Sequence, residues 1–179
     1  TAISLKELID IPTLQALTDE LYKATGIPSA IIAMDGEVLT GSGWQEICTE
    51  FHRKNPRIAR ECMESDVRIR ERLSEGEPFA LYRCPRGLTD ASSPILIEGQ
   101  HVANVFAGQL FTEPPDRDQE EFFRTTARKY GFDEGRYMEA FRKVPVFPEE
   151  SFRPALAFLS KFAQLLAGIG LARKQELAV

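Results

Sequence analysis

Whatever chemistry this 179-residue chain performs must come from three cysteines, two histidines and a few well-placed carboxylates and amides. Cys48 and His52 stand four positions apart, so on a helix they stack on one side, beside an inward stripe of Trp44, Ile47, Cys48 and Phe51. The next apolar stripe, Ile58, Cys62, Ile69 and Leu73, has the carboxylate of Asp66 in its middle. A carboxylate on a buried face costs several kcal/mol unless it is paired. Asp66 therefore needs an arginine, a backbone amide, a ligand hydroxyl or a metal. Cys84 closes a strand just before Pro85, at the kind of turn that edges pockets. On this reading Cys48, His52, Cys62 and Cys84 converge with Asp66 on a ligand or a metal ion. Three thiols and an imidazole suit a tetrahedral soft-metal site. The alternative is that free cysteines act as small core hydrophobes. The separations, 14 and 22 positions with no C-x-x-C, favour the alternative for metal alone.

A second polar group, Arg83, Arg86, Asp90, His101 and Gln109, lies in and around the central strands. Strict alternation sets His101, Ala103, Val105, Ala107 and Gln109 on one face, and Val102, Asn104, Phe106 and Gly108 on the other. Gly108 lets another backbone or a ligand come close. This group reads equally well as a pocket wall or as a solvated sheet face.

The elements that must position these groups follow from turn and cap chemistry. Ser4-Leu5-Lys6-Glu7 has the pattern of a capping box. A helix from Pro12 to Thr25 places Leu14, Leu17, Leu21 and Ala24 on one face, with Gly26 as a left-handed stop. Residues 29–34 form a buried strand, and Asp35-Gly36 predicts a type I′ hairpin turn to a partner at 37–40. A helix opens at Trp44 and reaches Lys54. Asn55-Pro56 supplies a cap and a first-turn proline for another helix to Ser74. Strands are expected at 78–82, 94–97 and 101–111, the last two joined across Glu98-Gly99-Gln100. Helices follow at 116–130 and 133–141, and from Pro148 to the end. Five short, mainly antiparallel strands flanked by helices describe an α+β fold. We read residues 1–179 as one domain: N-terminal helices over 1–25, sheet and pocket helices over 26–112, and C-terminal helices over 113–179.

In the last helix Phe152, Leu156, Leu159, Ala163 and Leu166 step by four and three, and Phe158, Phe162, Leu165, Ile169 and Ala172 run along an adjacent seam. One stripe buries against the domain, and the other then calls for a second helix. A parallel homodimer is the economical answer. Lys161, Gln164, Gly168 and Gly170 argue against a bilayer span, so no membrane is expected. The N-terminal stretch Thr1-Ala2-Ile3-Ser4-Leu5 lacks the n- and h-regions of a signal peptide. An odd cysteine count argues against a disulfide framework. A cytoplasmic location follows as the expectation.

A net charge of -5, from 22 basic and 27 acidic side chains, gives no basic footprint for nucleic acid. P-loop, G-x-S-x-G, H-E-x-x-H and kinase signatures are absent. No catalytic residue is assigned.

Over nearly its whole length, and in order, the chain resembles a PocR sensory domain. The likeness is carried by Asp10-Ile11-Pro12, Gly26-Ile27-Pro28-Ser29-Ala30, Asp35-Gly36, Gly41-Ser42-Gly43-Trp44-Gln45-x-Ile47-Cys48, Phe51-His52 and Cys62-x-x-Ser65-Asp66. It continues through Tyr82-x-Cys84-Pro85-x-Gly87-Leu88-x-Asp90, Ser93-Pro94-Ile95, Gly99-x-His101-x-Ala103-Asn104, Gly108-Gln109 and Tyr130-Gly131-Phe132. The resemblance implies a PAS-like five-stranded sheet with N-terminal helices and a long C-terminal signalling helix. It also implies a place before output modules such as histidine kinases of two-component systems or transcription regulators. Small organic ligands, simple diols and hydrocarbon derivatives among them, are what it implies for sensing. The family's motif positions fall on Cys48, His52, Cys62, Asp66, Cys84, Asp90, His101 and Gln109. Whether the thiols hold a metal stays open.

Overall fold

A computed structural model of the chain describes residues 3–76 and 78–179. Thr1 and Ala2, which open the N-terminal stretch read above, and Glu77 lie outside them. Two N-terminal helices, α1 (Leu5–Leu8) and α2 (Ile11–Thr25), lead into strands β1 (Ser29–Ala33) and β2 (Val38–Ser42). A π-helical turn (Ile47–Phe51) and a 3-10 turn (His52–Lys54) precede α3 (Pro56–Ser74). Then come β3 (Ala80–Arg83), β4 (Thr89–Ile97), β5 (Gln100–Leu110), α4 (Arg117–Tyr130), α5 (Glu134–Lys143) and α6 (Glu149–Leu177). The strands form one antiparallel sheet in the order β2-β1-β5-β4-β3. This is the α+β, PAS-like arrangement expected, with helices on both faces and a long helix at the C-terminal end.

Local chemistry explains most boundaries. Asn55 Oδ1 accepts the amides of Arg57 and Ile58 at 3.0 and 3.2 Å, with Pro56 in the first turn, where its missing N–H costs nothing. Asp116 and Gln119 close a capping box at α4. Ser4, by contrast, makes no side-chain cap bond at α1, so the box expected there does not form. On α2 the buried positions are Leu14 and Thr18, whereas Leu17 is exposed. The sheet meets α2 along a narrower stripe than periodicity alone suggested.

The type I′ turn expected at Asp35-Gly36 does not form there and is found instead between β4 and β5. Only Gly36 has positive φ in the β1–β2 connection, and Ala33 N–H donates to Glu37 O. The loop is therefore three residues, Met34-Asp35-Gly36, with glycine in the left-handed position. Between β4 and β5, Glu98 (φ 50) and Gly99 (φ 77) both have positive φ, and Ile97 pairs with Gln100. That is the two-residue type I′ turn.

Helix α6 crosses the sheet over β4 and β5 and touches α1. Its Phe152, Leu156, Leu159, Ala163 and Leu166 enter the main core with Ile31, Ala91, Ile95, Ile97, Ala103, Val105 and Ala107. By length and composition alone α6 would pass for a membrane span. Its core-facing stripe instead seats it on the sheet. A second cluster, Ile47, Cys48, Phe51, Leu88, Phe111, Phe123, Tyr137, Met138 and Phe141 among others, joins the π-helical turn to α4 and α5.

Candidate ligand-binding site

Two irregularities in the β4–β5 pairing build the site. Thr89 pairs with Leu110 and Asp90 with Gly108, so Gln109 is skipped; Ile95 pairs with Ala103 and Leu96 with His101, so Val102 is skipped. A bulge at each end of β5 turns the extra residue and everything beyond it over. Val102 and Leu110 thereby join the α6-side core, while Gln109 turns to the opposite face. His101 likewise leaves the Ala103 face and bonds Asn104 Oδ1 (2.6 Å) and Ser74 Oγ at the end of α3 (2.8 Å). Strict alternation held only between the bulges.

On the sheet face away from α6 lies a cavity of about 40 Å³. Its walls are Ala30 and Ile32 of β1, Tyr82 of β3, Asp90 of β4, Phe106, Gly108 and Gln109 of β5, and Trp44, Arg53 and Asp66 from the segment between β2 and the end of α3. Space of this size holds roughly three water-sized groups. Gly108 (φ +125) lets β4 close in: a Cβ there would stand 2.6 Å from Asp90 Oδ1 and 2.7 Å from Thr89 O. The close approach that glycine permits is thus made by Asp90 itself. The Gly108–Gln109 peptide is cis.

The charges in the cavity are unequally partnered. Arg53 Nη2 lies 3.8 Å from Asp66 Oδ2, and its guanidinium carbon is 6.0 Å from the Trp44 ring centre. Asp66 thus has the arginine its position called for. The Asp90 carboxylate makes no hydrogen bond or ion pair among the described residues. Burial, followed by the neighbouring Asp66 charge, pushes its carboxyl up to about 7, against a smaller opposing pull from Arg53. Burial also raises Asp66 above the ordinary carboxylate range. Trp44 Nε1 donates to Ser29 O at 3.3 Å.

Of the residues expected around a guest, Asp66, Asp90 and Gln109 line this cavity; Cys48, His52, Cys62, Cys84 and His101 do not. His52 is 1% exposed, and its Nε2 is hydrogen-bonded to the Tyr137 hydroxyl at 2.7 Å. Burial first, then Arg86 and Arg53, lowers its pKa to about 3, so the ring is neutral. Cys48 belongs to the aromatic cluster, with Cys84 packed against it. Burial is the leading cause that raises all three thiols, Cys84 to about 11. Among the described residues no three His, Cys, Asp or Glu side chains are grouped to hold a metal ion. Cys48, His52, Cys62 and Cys84 therefore do not make up such a group, and the His52 imidazole is bonded to Tyr137. Arg83 is exposed, and Arg86 pairs with Glu61 while lying 5.6 Å from the Tyr130 ring centre.

Sequence reasoning missed Arg53, Tyr82 and Phe106 as lining residues. Arg53 follows His52 directly, and the unpaired Asp66 was the one signal pointing to it. Tyr82 and Phe106 read as ordinary strand aromatics. A larger groove of about 350 Å³ lies on the other side of the sheet, between α2 and α6. Its walls are mostly apolar, including Leu21, Ile27, Ile31, Phe158 and Phe162, and it lacks the convergent charged groups of the smaller cavity.

The family model described as the sensory domain found in PocR matches residues 7–171. Regulatory protein PocR of Salmonella typhimurium (strain LT2) is 27% identical over 95 residues, 52% of this chain and 31% of that protein. The match spans about a third of the relative's length. No solved structure matches the chain.

Proposed function

The chain belongs to the PocR sensory-domain family, and on that premise we propose that it is the cytoplasmic ligand-sensing part of a signal-transduction protein. It binds a small organic molecule without transforming it and passes the event through α6 to an output module. The observation that carries this reading is that cavity and α6 grip opposite faces of the same two strands. Asp90 lines the cavity while its neighbour Ala91 is in the α6-side core; Gly108 and Ala107 are divided in the same way. A guest that moves β4 or β5 by a fraction of an ångström moves the seat of α6. Only a ligand with different affinities for two such arrangements shifts their balance. Differential scanning calorimetry of the domain with a panel of small diols, amines and organic acids tests the reading. At least one compound should raise the unfolding temperature by several degrees, as occupancy at a hundredfold excess over Kd contributes about 2.7 kcal/mol. A flat response across the panel sinks it.

Phe158, Leu165 and Ile169 leave an exposed apolar seam on α6, and Phe158 stacks on Phe162 with ring centres 5.6 Å apart. Their four-and-three spacing suits a second copy of the same helix, and the chain turns polar at Arg173-Lys174, where it would continue toward an output module. The second reading is thus a parallel homodimer through α6. A Leu165→Glu, Ile169→Glu variant should sediment as a monomer with unchanged circular dichroism where the parent sediments as a dimer. A monomeric parent disposes of the dimer.

A further inference from the structure

The cavity's groups discriminate among ligand classes. Its titratable lining is Arg53, Asp66, Asp90 and Tyr82. Arg53 sits beside Asp66 and the Trp44 ring and acts on Asp90 only at a distance, so the Asp90 carboxylate has no ion pair among the described residues. The indole N–H of Trp44 is spent on Ser29 O. An anionic guest would meet one guanidinium, already beside Asp66, against two carboxylates, so the net charge of the lining opposes it. A neutral alcohol can donate a hydrogen bond to Asp90 but cannot offset its charge. The rest of the wall is small or apolar apart from the Gln109 amide, and three aromatic side chains, Trp44, Tyr82 and Phe106, stand with the carboxylate that has no ion pair. Aromatic rings attract ammonium groups through their quadrupoles, most strongly where water is excluded.

We propose that the ligand is a small cation, a protonated or methylated amine of a few heavy atoms, held by the Asp90 carboxylate among Trp44, Tyr82 and Phe106. This rests on reading the cavity as the sensing site. The size of the space, roughly three water-sized groups, excludes long-chain amines. Asp90 faces Asp66 and Arg53 across the cavity, and Tyr82, Cys48 and Cys84 lie within its electrostatic reach. The Asp90 carboxyl is raised to about 7, so affinity for the cation rises from pH 6 to pH 8.

Isothermal titration calorimetry of the full chain at pH 8 with ethylammonium, trimethylammonium, 1,2-propanediol and propionate tests the class. At least one ammonium should bind tenfold or more tightly than both other probes. Asp90→Asn should reduce that affinity at least tenfold while leaving any propanediol binding as it was. Propanediol or propionate binding as tightly as either ammonium overturns the cation and leaves the sensing cavity standing. Ammonium binding that Asp90→Asn does not weaken also overturns it. If none of the four binds, both the cation and the reading beneath it fail.

Discussion

Replacing Asp90 by asparagine stabilises the unliganded domain at pH 8 by about 2–3 kcal/mol and changes how its stability depends on pH. The carboxyl titrates near 7 in the fold against 3.8 when unhindered. Holding it charged therefore costs the folded state about 4 kcal/mol. The sign follows from linkage. Between pH 3.8 and 7 the folded chain keeps a proton the unfolded chain has released, so stability falls as pH rises and the full penalty applies above 7. Asparagine removes the charge at constant shape. An imperfectly bonded amide returns about 1–2 kcal/mol of that gain. His52 works in the opposite sense: with a folded pKa of about 3 against 6.5, its contribution is complete above 6.5 and is lost as pH falls through 3. In the parent the two trends largely cancel between pH 4 and 6.5. In the Asp90→Asn variant the His52 trend stands out, offset only by the raised carboxyl of Asp66. Thermal unfolding from pH 4 to 8 should show the variant gaining stability relative to the parent as pH rises and melting roughly 5–10 °C higher at pH 8. Parallel curves for the two proteins would show that Asp90 is not the penalised carboxylate.

His52→Ala destabilises the domain by about 3–5 kcal/mol, the range for removing a fully buried ring, although the residue touches no ligand. The imidazole sits beside Phe123 and Tyr137, with ring centres 6.4 and 5.6 Å away. Its hydrogen bond with Tyr137 ties the turn before α3 to α5. Tyr137→Phe keeps the packing and removes one partner, so it costs about 1–3 kcal/mol, the price of an orphaned buried polar group. Urea unfolding of the two single variants and the double variant should give a coupling energy of about 0.5–3 kcal/mol. Additive losses would mean that the bond contributes nothing beyond the packing. Because this contact anchors the turn that carries Arg53, loss of His52 should also loosen one wall of the cavity.

Much of the architecture was legible in the chain because short-range chemistry sets it. Asn55-Pro56, Asp116 with Gln119, and the left-handed Gly26 and Gly131 mark helix ends through contacts a few residues long. The buried stripe of α6 follows from its own period, and every residue assigned to it is buried. Asp66 announced its need for a partner because an apolar stripe makes a lone carboxylate costly.

What only the tertiary structure decided is where side chains point once strands pair. Period-two alternation assumes an unbroken ladder. The bulges opposite Thr89–Asp90 and Ile95–Leu96 are properties of two strands at once, and they sent Gln109 to the cavity, His101 to α3 and Val102 to the core. The same holds for the thiols and His52: their residue types permit a metal, but tertiary packing sets Cys48, with Cys84 against it, in the aromatic cluster with α4 and α5 and gives the imidazole a phenol. Sequence states which groups are available, because composition and local spacing are carried by the chain itself. Pairing and burial choose which of them meet, because both depend on segments tens of residues apart.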